Sequence, residues 1–259
     1  MSNDTRVTVE FVNGAAAPGH GRRVVGFVHG MRGDPSKTWT NKDTHKYWPE
    51  LVKNDPAFGR PDVFVAGYES GTKGAEPRLG DIVTGLRREL VENRGILGYD
   101  AISFVAHSLG GVLVRWLLCD DVLLHEKVLW NKTRLVMTFS APYKGCDGAQ
   151  LVGLGILDDS VQLEDVKPGS DMLARLDRKW QQVRAMGGRQ PAIRCAWENP
   201  PGKGPWFMAE VSSTYCCDQA IEIKENHFNV VKPDGPDHAS HQALRKAYRE
   251  AFGESLPNP

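Results

Sequence analysis

The chain alternates between two patterns of hydrophobic and polar positions. Short apolar runs rich in β-branched and aromatic side chains are bounded by glycine, proline, asparagine or aspartate, and such runs are typical of buried strands. The predicted strands are Val7–Val12, a run from Val24 into a glycine-punctuated loop, Asp62–Tyr68, a run from Ala101 towards Ser108, Arg134–Ser140, Pro191–Glu198, Trp206–Val211 and Gln219–Lys224.

Between these runs, apolar residues recur at helical spacing. The predicted helices are Asp81–Asn93, with a cap at Gly95, Leu109–Leu118 and His241–Phe252. Because strands and helices alternate, we expect an α/β fold with a mostly parallel central sheet and helices on both faces. We expect residues 1–259 to form one domain. From about residue 144 to 188 the strand pattern is lost, which favours either a helical lid or an ordinary helical layer.

A serine stands where the run from Ala101 meets the following helix. Ala106 and Gly110 are small residues around Ser108, as a sharp strand-to-helix turn requires. Such a turn exposes the serine hydroxyl and places the amide of Leu109 at a helix N-terminus, where it can face a developing oxyanion. We interpret Ser108 as the nucleophile of a nucleophile elbow, with a simple helix cap as the alternative.

The loop after the strand from Val24 is rich in glycine, which lets a backbone approach a reacting carbonyl closely. In hydrolases with an elbow this loop supplies the second oxyanion donor, and we assign that role to the backbone N–H of Met31. His29 is then a residue that shapes the loop. A catalytic role for His29 is the alternative.

Three candidates for a catalytic triad follow in the order Ser108, Glu198, His227, which is the chain order of the α/β-hydrolase arrangement. A serine hydroxyl is a weak nucleophile, so His227 would accept its proton and Glu198 would orient the imidazole. Glu198 ends a predicted strand, as the acid of this fold does. Glu210 and Asp218 also lie between nucleophile and base and remain alternatives for the acid.

The other histidines and the cysteines indicate no further chemistry. His107 is expected to point away from Ser108 and to shape the elbow, while His238 and His241 are expected to be solvated capping residues. The five cysteines have no metal-binding spacing, so we expect thiols, with Cys216 and Cys217 packed in a strand. We expect no metal and no cofactor.

Charge narrows the classes of function. Lysine plus arginine and aspartate plus glutamate number 32 each, and the isoelectric point is about 7.1, so no overall field favours nucleic acid. No apolar run is long enough to span a bilayer, and the N-terminus has no secretory signal. We expect a cytoplasmic protein without an integral membrane segment, with peripheral lipid contact left open.

Several blocks of sequence together resemble one branch of the α/β-hydrolases. The blocks are Val28–Trp39, Trp48–Pro49, the strand end at Tyr68, Ala106–Gly111, Ser140–Gly145, Trp197–Glu198 and Asn226–Pro233. They are similar to the serine-active-site-containing proteins linked to phosphatidylglycerol remodelling and, more distantly, to lipases of the GPI inositol-deacylase type. The resemblance implies lipase-like or esterase activity, with Ser108, His227 and Glu198 as the triad.

The sequence therefore predicts a serine hydrolase that cleaves carboxylic esters through an acyl-enzyme. The expected substrate is a hydrophobic acyl ester or a lipid. An acyltransferase would use the same triad, and a binding or signalling module could keep the fold without turnover. Both remain alternatives.

Overall fold

The computed structural model describes residues 7–14, 22–69, 77–146, 161–201 and 210–253. Within these segments, seven strands form one sheet. They are β1 (Val7–Phe11), β2 (Arg23–Val28), β3 (Asp62–Tyr68), β4 (Ala101–His107), β5 (Thr133–Phe139), β6 (Ala192–Glu198) and β7 (Gln219–Ile223). The predicted strands in these places are confirmed to within a few residues at each end.

The sheet has the order β1-β3-β2-β4-β5-β6-β7. Only β1 is antiparallel to its neighbour, so the predicted mostly parallel sheet is confirmed. Parallel strands all end at the same edge. The loops that follow β2, β4, β5, β6 and β7 therefore meet at one edge, which is where open α/β sheets bind their ligands.

The described helices lie on both faces of the sheet. They are α1 (Trp48–Asn54), α2 (Leu79–Arg87), α3 (Leu109–Leu124), α4 (Val128–Lys132), α5 (Val161–Asp165), α6 (Asp171–Ala185), α7 (Glu210–Thr214) and α8 (Ala239–Ala251). Apolar residues of α2, α3 and α6 pack in a core on one face of the sheet, and those of α1 and α8 pack in a core on the other. The prediction of helices on both faces is confirmed.

Helix α6 is firmly packed against α3. Trp180 and Val183 are buried in the core, and the Arg115 guanidinium donates to the Asp177 carboxylate at 2.9 Å. The Tyr215 hydroxyl also donates to Asp177, at 2.9 Å. The part of the 144–188 segment that contains α6 thus has helical structure anchored to the domain, while residues 147–160 of that segment lie outside the described residues.

Two predicted elements differ from the structure. The helix predicted over Asp81–Asn93 is α-helical only to Arg87 and continues as a π-helical turn over Arg88–Asn93, before Gly95 at a φ of 61°. The strand predicted over Trp206–Val211 is wrong at its end, because Glu210–Thr214 is helical and the Thr214 hydroxyl bonds to the Glu210 carbonyl. Residues 206–209 lie outside the described segments.

The expectation for the cysteines is also wrong in part. Cys195 in β6 and Cys217 form a disulfide, with a Cα–Cα distance of 5.9 Å. Cys216 and Cys217 lie in the turn after α7 rather than in a strand. The pairing escaped sequence reasoning because the two half-cystines are 22 residues apart and meet only when α7 folds back onto β6.

None of the helices in the described segments is both long enough and apolar enough to cross a membrane.

Candidate active site

Ser108 lies in a strained backbone conformation at the turn between β4 and α3. Its φ is 50° and its ψ is −124°, a region that non-glycine residues rarely adopt. The Ser108 amide donates to the Phe139 carbonyl at 2.8 Å, and the Gly111 amide donates to the Ser108 carbonyl at 3.0 Å. The ends of β4 and β5 therefore hold the serine in this turn.

Two glycines let the backbone pack tightly around Ser108. A Cβ on Gly110 would lie 2.3 Å from the carbonyl oxygen of Val28, and a Cβ on Gly30 would lie 2.8 Å from the Cβ of Ser108. Real Cβ atoms essentially never come so close. The start of α3 and the loop after β2 thus approach each other through backbone atoms, as the elbow interpretation requires.

His227 and Glu198 form a buried pair at the same edge of the sheet as the serine. His227 Nδ1 lies 2.6 Å from Glu198 Oε2, and both side chains are almost completely buried. Glu198 ends β6, and His227 follows β7. Because Nδ1 faces the carboxylate, Nε2 is the nitrogen that could accept a proton from a serine hydroxyl.

Ser108 and His227 line one cavity of about 350 Å³ at the carboxyl edge of the sheet. Met31 and Leu109, the two predicted amide donors, line the same cavity. Much of the remaining wall is apolar, with contributions from Pro142, Val166, Phe228 and Val231. The structure therefore brings the nucleophile, base and oxyanion candidates to a single cavity that can take an apolar group.

Charged side chains also line this cavity. Among the described residues they include Arg32, Lys37 and Lys232, together with the carboxylate of Asp34. Asp34 Oδ1 accepts hydrogen bonds from the backbone amides of Ser36 at 2.9 Å and of Lys37 at 2.7 Å. These hydrogen bonds favour the charged form of Asp34, but with three cationic side chains against this one carboxylate, the charge of the described wall is predominantly positive.

The alternative acids lie in other surroundings. Asp218 accepts a hydrogen bond from the Ile193 amide at 2.8 Å, near the start of β6. It also accepts one from the guanidinium of Arg184 in α6 at 2.6 Å. Glu198 is at the end of that strand, about 17 Å further along. Glu210 is exposed at the first residue of α7.

His29 and His107 are both buried, but only His107 contacts the candidate base. His29 stacks on Tyr68 with ring centroids 4.3 Å apart, and its Nδ1 lies 2.8 Å from the Gly30 carbonyl oxygen. His107 lines the cavity, and its Nε2 lies 2.9 Å from the backbone carbonyl oxygen of His227. The sequence did not predict this contact with the candidate base, because the His227 residue that forms it comes from a distant segment. The only feature of the sequence that could have indicated a role for His107 at the site was its position directly before the nucleophile candidate.

His238 and His241 differ from each other. His238 accepts a hydrogen bond from the Ser240 amide and caps α8, as predicted. His241 is fully buried between Trp48, whose indole N–H donates to Nδ1 at 3.1 Å, and Asp55, 2.9 Å from Nε2. The prediction of a solvated residue is wrong for His241 because the first turn of α8 packs against the end of α1.

Among the described residues, no group of three or more histidine, cysteine, aspartate or glutamate side chains could hold a metal ion.

Comparisons with known proteins agree with this architecture. The family model described as "Putative serine esterase (DUF676)" matches residues 20–157, just over half of the 259 residues. The protein SERAC1 of Homo sapiens is 23% identical over 258 residues, and the match covers 90% of this chain and 39% of SERAC1. SERAC1 of Bos taurus is 23% identical over 264 residues with the same coverage. The chain thus spans about two fifths of the length of these curated relatives.

Solved structures of lipases share the fold. The phospholipase PlaB from Legionella pneumophila superimposes with a TM-score of 0.65 at 14% identity, covering 90% of this chain and 61% of PlaB. The lipase BlEst2 from Bacillus licheniformis gives a TM-score of 0.59 at 13% identity, covering 87% of this chain and 93% of that enzyme. The predicted α/β-hydrolase fold is confirmed.

Proposed function

We propose that this chain, which belongs to the DUF676 serine esterase family and has the fold of lipases and esterases, cleaves carboxylic esters through Ser108, His227 and Glu198. The observation that carries the proposal is the buried 2.6 Å contact between His227 Nδ1 and Glu198 Oε2, together with the fact that His227 and the strained Ser108 line the same cavity. Serine, histidine and a carboxylate in these roles form the nucleophilic relay of acyl transfer.

In the first half of the proposed reaction, Ser108 Oγ attacks the ester carbonyl while His227 Nε2 takes the hydroxyl proton. Glu198 holds Nδ1–H and stabilises the imidazolium that forms. The carbonyl oxygen becomes an oxyanion, which the amides of Met31 and Leu109 stabilise. His227 then gives its proton to the leaving alcohol, and the acyl group stays on Ser108.

In the second half, water resolves the acyl-enzyme. His227 takes a proton from the water as it attacks the acyl carbon, and returns that proton to Ser108 Oγ when the carboxylic acid leaves. An alcohol in place of water would give acyl transfer with the same residues. Comparing hydrolysis with ester formation in the presence of added glycerol separates these two outcomes.

The cavity wall supports a substrate with an apolar acyl part and an anionic group. Pro142, Val166 and Val231 can contact an acyl chain. Lys37 and Lys232, which line the same cavity, would attract a negative charge on the substrate.

The nucleophile is tested with a fluorophosphonate probe and short p-nitrophenyl esters. We expect the wild-type protein to be labelled at Ser108 and to hydrolyse the esters. Ser108→Ala should not be labelled, and its kcat should fall by at least roughly 10⁴-fold. Ser103→Ala is the matched control, since Ser103 is also buried and lies in β4 outside the cavity. A folded wild type that resists the probe and hydrolyses none of the esters would contradict the proposal. Ligand-induced stabilisation without turnover would favour a binding module instead.

The acid is tested by three single substitutions. We expect Glu198→Gln to lower kcat on the order of 10³- to 10⁴-fold, because His227 would lose the carboxylate that orients it. Glu210→Gln and Asp218→Asn should leave kcat within a few fold of wild type. A larger loss in either of them than in Glu198→Gln would move the role of the acid to that residue.

A further inference from the structure

We propose that His107 is a positioning residue, which holds the base His227 in place by donating a hydrogen bond from its ring to the His227 backbone carbonyl. The role of His107 rests on the proposed function, because it assumes that His227 acts on Ser108. The hydrogen bond runs from the His107 ring to the main chain of His227, so its part is to fix a distance rather than to transfer a proton.

The contact has a defined direction. His107 Nε2 lies 2.9 Å from the carbonyl oxygen of His227, and a carbonyl can only accept a hydrogen bond. His107 Nε2 must therefore carry the hydrogen. The two rings also lie close to one another, with centroids 4.7 Å apart at an angle of 46°.

The surroundings keep His107 neutral and fixed. Its side chain is buried, and burial lowers its pKa well below the ordinary value, with His227 nearby as a second cause. The Trp39 ring packs against it edge-on, with centroids 6.5 Å apart. On another side, a Cβ on Gly30 would lie 3.4 Å from His107 Nδ1. A neutral ring in this position can donate the same hydrogen bond across the neutral pH range.

The hydrogen bond connects the base to the nucleophile by a short route. Glu198 holds the His227 side chain at 2.6 Å, and His107 holds the His227 backbone at 2.9 Å. His107 and Ser108 are consecutive in the chain. The residue that holds the base is therefore bonded directly to the nucleophile, and any shift of the elbow moves both together. Misplacement of a catalytic group by about 1 Å can cost on the order of 10²-fold in rate.

The test compares His107→Gln with His107→Met. The two side chains have similar length and volume, but only glutamine carries an N–H donor near the position of Nε2. We expect His107→Met to lower kcat for p-nitrophenyl esters roughly 10- to 100-fold with KM within about threefold of wild type. His107→Gln should recover most of that loss. A general packing role would affect both variants alike and would change KM and thermal stability with kcat.

A second measurement needs no turnover. In protein labelled with ¹⁵N-histidine, the His107 signal, assigned by its loss in His107→Met, should show a protonated Nε2 and an unprotonated Nδ1 from about pH 6 to 8. A hydrogen on Nδ1 would overturn the proposal, as would wild-type kcat in a folded His107→Met. If wild type lacks esterase activity but shows the expected tautomer, the proposed function fails while the contact stands.

Discussion

Ser108 shows how much of the site depends on the absence of side-chain atoms. Its positive φ is tolerated because Gly30 and Gly110 leave room for the turn, and each lies against backbone or Cβ atoms that cannot move aside easily. Backbone strain of this kind costs on the order of 1–3 kcal/mol and persists only where surrounding contacts enforce it. The two glycines are part of what enforces it.

Gly30→Ala should therefore damage catalysis more than stability. The new methyl group would lie 2.8 Å from the Ser108 Cβ and would push the hydroxyl out of line with His227. We expect kcat for p-nitrophenyl esters to fall on the order of 10²-fold. Gly80→Ala is the control, because a Cβ there would meet the Trp116 ring at an ordinary 3.6 Å. Equal kcat in the two variants would contradict the expectation.

His241 gives the fold a dependence on pH at a point away from the cavity. Burial lowers the pKa of His241, and the positive charge of Arg245 lowers it further. The hydrogen bond with Asp55 raises the pKa but does not offset these effects. The unfolded chain, with an ordinary imidazole pKa of about 6.5, thus binds a proton more readily than the folded protein does. The stability that the neutral, buried His241 contributes is therefore fully present above a pH of about 6.5 and is lost as the pH falls below that value.

We expect the melting temperature of wild type to fall between about pH 7.5 and 5.5. In His241→Asn the melting temperature should be lower at pH 7.5, but its decrease with acid should be smaller, because one proton-binding group of the unfolded state is gone. Asparagine keeps an acceptor near the Trp48 indole. The exposed His125→Asn is the control and should have the slope of wild type. An unchanged slope in His241→Asn would show that other buried histidines carry the effect.

At the scale of elements, the disulfide joins the strand that ends in Glu198 to the turn after α7. It closes a loop between residues 22 positions apart, which restricts the unfolded chain. For a loop of this length the stabilisation is roughly 3 kcal/mol. Strand β6 is thereby tied to a segment outside the sheet.

Cys217→Ser should accordingly lower the free energy of unfolding by roughly 3 kcal/mol under oxidising conditions. The neighbouring Cys216→Ser, which removes a thiol outside any disulfide, is the matched control and should cost less than half as much. Chemical denaturation with and without reductant measures both. The difference between the two variants should disappear in reductant, and a difference that persists would mean that the thiol of Cys217 stabilises the fold by packing.

Sequence reasoning predicted correctly those elements whose conformation follows from the hydrophobic pattern of their own residues. Strand β3 was predicted with its exact bounds because Asp62–Tyr68 is a continuous apolar run buried on both faces. Helix α7 was missed because Glu210–Thr214 is short and has no clear period. His241 and the Cys195–Cys217 pair were misjudged because their partners come from distant segments, which no local pattern reveals.

At the scale of the whole molecule, the positive and negative charges balance in number but are unevenly distributed. The chain has equal numbers of acidic and basic residues, yet Arg32, Lys37 and Lys232 gather at the cavity, where Asp34 is the single carboxylate among the described lining residues. Lys232 Nζ donates to the Lys37 carbonyl at 2.7 Å, which holds the two loops together. Composition alone therefore gave no reason to expect a nucleic-acid role, but it could not show that the site itself is cationic.

This imbalance predicts a preference for anionic esters. The test uses two acyl esters that differ only in a terminal carboxylate. We expect kcat/KM for the charged ester to fall as the salt concentration rises from about 0.05 to 0.5 M, because salt screens its attraction to the lysines. Lys37→Gln should weaken that salt dependence. Lys246→Gln on α8 should leave it unchanged, since Lys246 lies outside the cavity and near Glu250. Equal salt dependence for the neutral and charged esters would contradict the prediction.

The close approach of Gly110 to the carbonyl oxygens of Val28 and His29 has a consequence for protein engineering. The two segments that carry Met31 and Leu109 meet through main-chain atoms at this point, with no side chain between them. We therefore expect that the pocket walls around Pro142, Val166 and Val231 can be redesigned for new acyl groups without altering the spacing between the two amides.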